Sequence, residues 1–163
     1  MSYQEQYERW LHSPALSQPE KDELAALSHN AGEIEDRFFS LLQFGTAGLR
    51  GVMGVGLRRI NVHVIRHATQ AFANVILAEG KDFAAQGVAI CYDCRVHSQE
   101  FARAAAEVMA GNGIPVRLFE AMRPTPELSF AVREYGCAAG LHVTASHHPP
   151  EYNGYKVYWS DGA

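Results

Sequence analysis

Between Gly140 and Trp159 the chain reads GLHVTASHHPPEYNGYKVYW, and this stretch gathers groups that can do chemistry. One hydroxyl, Ser146, is followed by two imidazoles (His147, His148), two prolines (Pro149, Pro150), an Asn153-Gly154 pair and a single ammonium, Lys156. The apolar run from Leu141 to Ala145 reads as a buried strand that delivers the serine into a loop. The prolines limit that loop's freedom and bar it from becoming helix. The Asn-Gly pair tolerates positive φ and reads as a tight turn. Alternation from Tyr155 to Trp159 then reads as a strand. A serine on a stiff loop at a strand end suits a nucleophile that must be positioned, or an anion site. The competing reading is an ordinary surface loop.

Two other stretches carry cations. FGTAGLRGVMGVG has glycines at 45, 48, 51, 54 and 56, a density that breaks helix and lets backbone N–H groups approach an anion. Arg50 within it offers a fork suited to phosphate oxygens. The spacing does not match GxxxxGK[ST], so it is not a nucleotide P-loop. Asp93, Cys94 and Arg95 follow an apolar run at Val88 to Tyr92. Serine-hydrolase chemistry is disfavoured, because GxSxG is absent and neighbouring Ser146 and His147 do not face each other as a triad requires. Cys91 and Cys94 are spaced CxxC, but no second pair follows to complete a structural zinc site, so they read as buried thiols.

The elements that must position these groups follow in order. The first forty residues look helical, with a start at Ser17, Pro19 and Glu20, a stop at Gly32, and a second amphipathic stretch from Glu33 to Gln43. Asn61 is predicted to cap a long helix whose buried face is Val62, Ile65, Thr69, Phe72 and Ile76, ended by Gly80. Val88 to Tyr92 is a strand, Ser98 the cap of the next helix, and Ile114 to Phe119 the next strand. Thr125-Pro126-Glu127 starts a helix that Gly136 stops, and Cys137 to Ala145 is the strand carrying Ser146. Strands alternating with helices over short links predict an α/β fold: a three-layer α/β/α sandwich with a mixed, mostly parallel sheet. Functional groups in such sheets gather beyond the C-terminal strand ends, where Asp93, Arg95 and Ser146 fall.

Composition narrows the class. The 163 residues suffice for a real core. Residues 1–40 hold eight acidic and three basic side chains, and the remainder ten acidic and eleven basic, so neither part has the basic excess of a nucleic-acid or membrane-surface binder. No apolar run approaches the roughly 20 residues of a membrane span. The polar, acidic N-terminus is unlike a signal peptide, and an odd count of three cysteines points to a reducing cytoplasm.

In this order, FGTAGLRG, YDCRVHS, RPTPELSFAV and VTASHHPPEYNGYKVY closely resemble the first domain of the α-D-phosphohexomutases, the group of phosphoglucomutases and phosphomannomutases that also includes phosphopentomutases. The resemblance runs from about Phe44 to the end. It implies residues 1–43 as an N-terminal helical extension and 44–163 as the domain with the phosphoserine loop. One departure is His148, where the family usually has Asn.

The resemblance implies that Ser146 carries a phosphate that passes to a sugar monophosphate and returns through a bisphosphorylated sugar, interconverting sugar 1-phosphate and 6-phosphate. Arg50 and Lys156 would neutralise the moving charge, Lys156 as an acid/base candidate, with His147 a hydrogen-bonding or proton-handling partner. Thr46 and Arg50 match sugar-phosphate contacts. Magnesium would bind the phosphate on Ser146, and a sugar 1,6-bisphosphate would act as activator. The family's remaining metal ligands and sugar sites lie in later domains, so the chain is expected to be part of a longer enzyme, inactive alone and partnered by the remaining domains of the same polypeptide. The alternatives are a phosphopentomutase of the same family or a non-catalytic phosphate-binding module.

Overall fold

A computed structural model describes residues 2–45 and 48–163. Strands β1 (Leu49–Val52), β2 (Val88–Tyr92), β3 (Val116–Leu118), β4 (Ala139–Val143) and β5 (Tyr152–Trp159) form one sheet in the order β1-β5-β4-β2-β3. β3, β2 and β4 run parallel, while β5 and β1 add antiparallel pairings. The helices are α1 (Tyr3–Leu11), α2 (Gln18–Ala25), α3 (Ala31–Phe38), α4 (Val62–Ala78), α5 (Lys81–Ala85), α6 (Ser98–Gly111) and α7 (Thr125–Glu134).

Alternation along β2 explains the layers. Val88 and Ile90 face a core built with Ile65 and Ile76 of α4 and Phe101 and Met109 of α6. Ala89 and Cys91 face the other way, onto Leu128 and Val132 of α7. Covered on both faces, β2 and β4 are continuously buried and read as unbroken apolar runs. The fold is therefore the α/β sandwich with a mixed sheet that the sequence predicts. Helices α1 to α3 enclose a separate apolar cluster of Tyr7, Leu24, Ile34 and Phe38, which takes in Val55 from the glycine-rich segment. Asn61 caps α4 as predicted, its side chain accepting from Val64 N at 2.9 Å.

Several local expectations are corrected. Gly32 does not stop a helix: it lies in the first turn of α3, which Asn30 caps by accepting from Glu33 N. That helix ends at Phe38 and leaves Leu41 exposed. Ser98 is the first helical residue of α6, and its hydroxyl donates to Asp93 instead of capping. The glycine-rich segment holds an edge strand, β1, that its composition conceals. Cys94 is exposed, whereas Cys91 and Cys137 are buried. The largest correction concerns Asn153 and Gly154, which form no turn but sit inside β5 opposite Gly51 and Arg50. The Asn153 amide is fully buried, donating to Val96 O and Ser98 Oγ, each at 3.0 Å. Gly154 is required because its neighbours leave no room: a Cβ there would lie 2.6 Å from Leu49 O and 2.7 Å from Thr144 O.

Both obstructing atoms at Gly154 are backbone, one on β1 and one just past the end of β4, and cannot step aside. Gly154→Ala is expected to lower the unfolding free energy by about 1–3 kcal/mol in urea denaturation; a loss under about 0.5 kcal/mol would show that the sheet opens there freely.

Candidate active site

Parallel pairing of β2 with β4 places Tyr92 opposite Val143, so the residues that follow, Asp93 and Thr144, leave the sheet side by side. Thr144 donates through its hydroxyl to Asp93 Oδ2 at 2.6 Å, and its oxygen accepts from the Ser146 N–H at 2.9 Å. Asp93 Oδ1 accepts from Ser98 Oγ at 2.8 Å and from Arg95 N at 3.1 Å. Ser146 itself is exposed and has φ +58°, the left-handed region that non-glycine residues seldom occupy. Its Oγ lies 3.5 Å from His147 Nδ1, the outer edge of hydrogen-bond range.

Arg95, grouped with the anion-facing cations on sequence grounds, is used differently. Its Nη1 donates to the carbonyls of Pro149 (2.8 Å) and Tyr152 (3.0 Å), and its Nη2 to those of Ser146 (2.8 Å) and His148 (2.6 Å). Its Nε lies 3.5 Å from Asp93 Oδ2. The His148 ring donates through Nδ1 to Ala145 O at 3.0 Å and lies against both His147 and Tyr152. The two adjacent imidazoles thus divide: His147 lies beside the hydroxyl, and His148 braces the loop.

Arg50 and Lys156 come together on the neighbouring strands. Arg50 faces Gly154, which lies beside Thr144 just past β4, and Lys156 is two residues further along β5, directly opposite His142. Residues two apart share a face, so Arg50, Lys156 and His142 all belong to the face that α7 covers in part. The missing side chain at Gly154 makes room for Arg50, whose Cγ lies 3.2 Å from where a Cβ would stand. Arg50 Nε is buried without a partner among the described residues. Partial burial, then repulsion from Arg50, pushes the Lys156 ammonium below its usual range, while Asp93 partly offsets this. Two half-buried cations placed close together, in no salt bridge among the described residues, cost stability that a bound anion would return. Thr46, the other predicted sugar-phosphate contact, lies outside the described residues.

His142 escapes a sequence reading, since it looks like one more residue of an apolar strand. It is 1% exposed, with Nδ1 2.8 Å from Thr125 Oγ1 and Nε2 unpartnered. Burial depresses its pKa from 6.5 to about 4, with Lys156 adding to the shift and Asp93 opposing it.

The residues do not by themselves fit a magnesium site. Among the described residues no group of three His, Cys, Asp or Glu side chains is placed to hold a metal. The carboxylate tied into the serine loop, Asp93, is already engaged by the hydroxyls of Ser98 and Thr144 and by Arg95.

The family model for the phosphoglucomutase/phosphomannomutase α/β/α domain I matches residues 41–163. The chain is 39% identical to mouse (Mus musculus) phosphopentomutase over 164 aligned positions, 97% of this chain and 26% of that protein. It is 46% identical to a Staphylococcus aureus phosphoglucomutase over 131 positions, 80% of this chain and 23% of that protein. A crystal structure of a Thermus thermophilus protein, put forward as a phosphomannomutase, superposes with a TM-score of 0.68 at 36% identity, over 76% of this chain and 27% of that one. The chain belongs to the phosphoglucomutase/phosphomannomutase family and carries its domain I. It spans about a quarter of the length of these relatives.

Because His142 is neutral when folded and protonated when unfolded between pH 4 and 6.5, the unfolded chain binds the extra proton in that window. Stability from this group is full above pH 6.5 and falls as pH drops toward 4, by about 3 kcal/mol in all. Urea midpoints measured across that range are expected to fall less steeply for His142→Leu than for the parent; parallel profiles would contradict a buried neutral imidazole.

Proposed function

We propose that this chain is the serine-bearing domain of a sugar-phosphate mutase that interconverts a sugar 1-phosphate and the phosphate on its last carbon (the 6-phosphate of a hexose or the 5-phosphate of a pentose) through a phosphoserine at Ser146. The observation that carries this reading is the pair of half-buried cations, Arg50 and Lys156, in no salt bridge among the described residues, on the strands next to a fixed, exposed serine.

In the first half-reaction the bond from phosphorus to Ser146 Oγ breaks as a bond forms to the free hydroxyl oxygen of the sugar monophosphate. The sugar hydroxyl proton is taken up and a proton is returned to Ser146, so charge and atoms balance. The bisphosphorylated sugar then turns over and gives its other phosphate back to Ser146. Phosphoryl transfer of this kind rests mainly on positioning and on neutralising charge spread over the moving group. Arg50 fits the second task with fixed donors. Lys156, whose ammonium is destabilised by burial and by Arg50, fits the carrying of the proton. His147, beside Oγ, is the hydrogen-bonding partner of the serine. A sugar 1,6-bisphosphate would prime Ser146. Magnesium would be held by the resulting phosphate together with carboxylates from elsewhere in a longer protein, and would offset phosphate charge when bound.

The relatives support sugar phosphates as the substrate class and leave hexose and pentose open, since phosphopentomutases and phosphoglucomutases both resemble the chain. In the full-length protein, turnover of glucose, mannose and ribose 1-phosphates would be measured side by side. Ser146→Ala is expected to lower the preferred activity by more than about 1,000-fold. Near-normal turnover by that variant would end the phosphoserine reading, and no turnover of any of the three by the parent would favour a phosphate-binding module.

A further inference from the structure

We infer that Arg95 is a positioning residue for phosphoryl transfer at Ser146: it aims the serine and leaves the phosphate to other cations. This rests on the mutase reading above.

The donor count decides between aiming and binding. A guanidinium has five N–H donors. Four reach backbone carbonyls of residues 146, 148, 149 and 152, and Nε lies 3.5 Å from the Asp93 carboxylate, an ion-pair distance without a hydrogen bond. The four Nη donors are spent on the loop, and the remaining Nε–H sits beside a carboxylate that repels a phosphate oxygen. The Arg95 side chain is 11% exposed, and its charge is matched by Asp93. Arg50, by contrast, has a buried Nε without a partner among the described residues, and Lys156 is set against it with Asp93 only partly offsetting the repulsion.

What the clasp achieves is clearest at Ser146. Its backbone is held from both sides: its N–H donates to Thr144 Oγ1, and its carbonyl accepts from Arg95 Nη2. Both tethers lead back to Asp93. A left-handed serine costs about 1–2 kcal/mol in the free chain, so the loop left to itself would relax and swing the hydroxyl elsewhere. Fixing φ at +58° fixes the direction of the Cα–Cβ bond, which leaves only the rotation about that bond to place Oγ. A lysine offers three donors from a single point and cannot span four carbonyls spread over seven residues. Arg95→Lys therefore keeps the charge opposite Asp93 and loses the aim.

The test is steady-state and single-turnover kinetics on full-length parent, Arg95→Lys and Arg95→Met, with thermal unfolding of each. Arg95→Lys is expected to reduce kcat about 100-fold, the scale of a 1 Å misplacement at a reacting centre. KM for the sugar monophosphate should stay within about 3-fold, since the phosphate contacts survive. The rate of Ser146 phosphorylation by a sugar 1,6-bisphosphate should fall in parallel with kcat, and Arg95→Met should fall at least as far while still unfolding cooperatively.

Unchanged kcat in Arg95→Lys would overturn the inference. So would a raised KM at constant kcat, which would make Arg95 a phosphate ligand. So would a drop matched by the lost folded fraction, which would make it merely structural. If Ser146→Ala in the same protein keeps full turnover, the mutase reading itself fails; if Ser146→Ala is dead and Arg95→Lys is normal, only the positioning role falls.

Discussion

The register between β2 and β4 is the constraint on which the site depends. Two buried parallel strands end together, and the first polar residues beyond them, Asp93 and Thr144, meet at 2.6 Å. A slip of one residue would turn Thr144 to the opposite face and break that contact. From Asp93 the bonding spreads to Ser98 at the start of α6, to Arg95, and through Thr144 to the amide of Ser146. Asn153, buried in β5, ties the same network to the antiparallel half of the sheet through Ser98 Oγ and Val96 O. The hydrophobic layers of α4, α6 and α7 hold the strands in register, and the register holds the serine.

Cations divide by what surrounds them. Arg95 meets a carboxylate and four carbonyls, so its charge serves the backbone. Arg50 passes over Gly154, whose missing side chain makes room for it, and lies near enough to Lys156 to push its ammonium below the usual range, with Asp93 partly offsetting this. A neutral, buried His142 opposite Lys156 adds no third positive charge to that corner at neutral pH.

Much of the fold was legible because periodicity reports burial. Val88 to Tyr92 and the α4 stripe stand where apolar spacing puts them. Two of the differences share one cause: side chains that normally signal local structure are engaged elsewhere. Asn153 and Gly154 resemble a turn by composition, yet the amide serves partners more than fifty residues away and the glycine serves close strand packing. Ser98 resembles a cap, but Asp93 takes its hydroxyl. In the site, Ser146, His147, Arg50 and Lys156 could be picked out by type and by resemblance. The division of labour between Arg95 and Arg50 could not, because it depends on which carbonyls the loop turns inward.

The central claim is that one hydroxyl, held by this network, receives and gives up a phosphoryl group. It is tested most directly by incubating the full-length protein with a sugar 1,6-bisphosphate, measuring intact mass and mapping the modified residue by peptide fragmentation. The account predicts a single phosphoryl increment located on Ser146 and removed again by added sugar monophosphate. A phosphoryl group on any other residue, or none at all in a protein that turns over sugar phosphates, would contradict it.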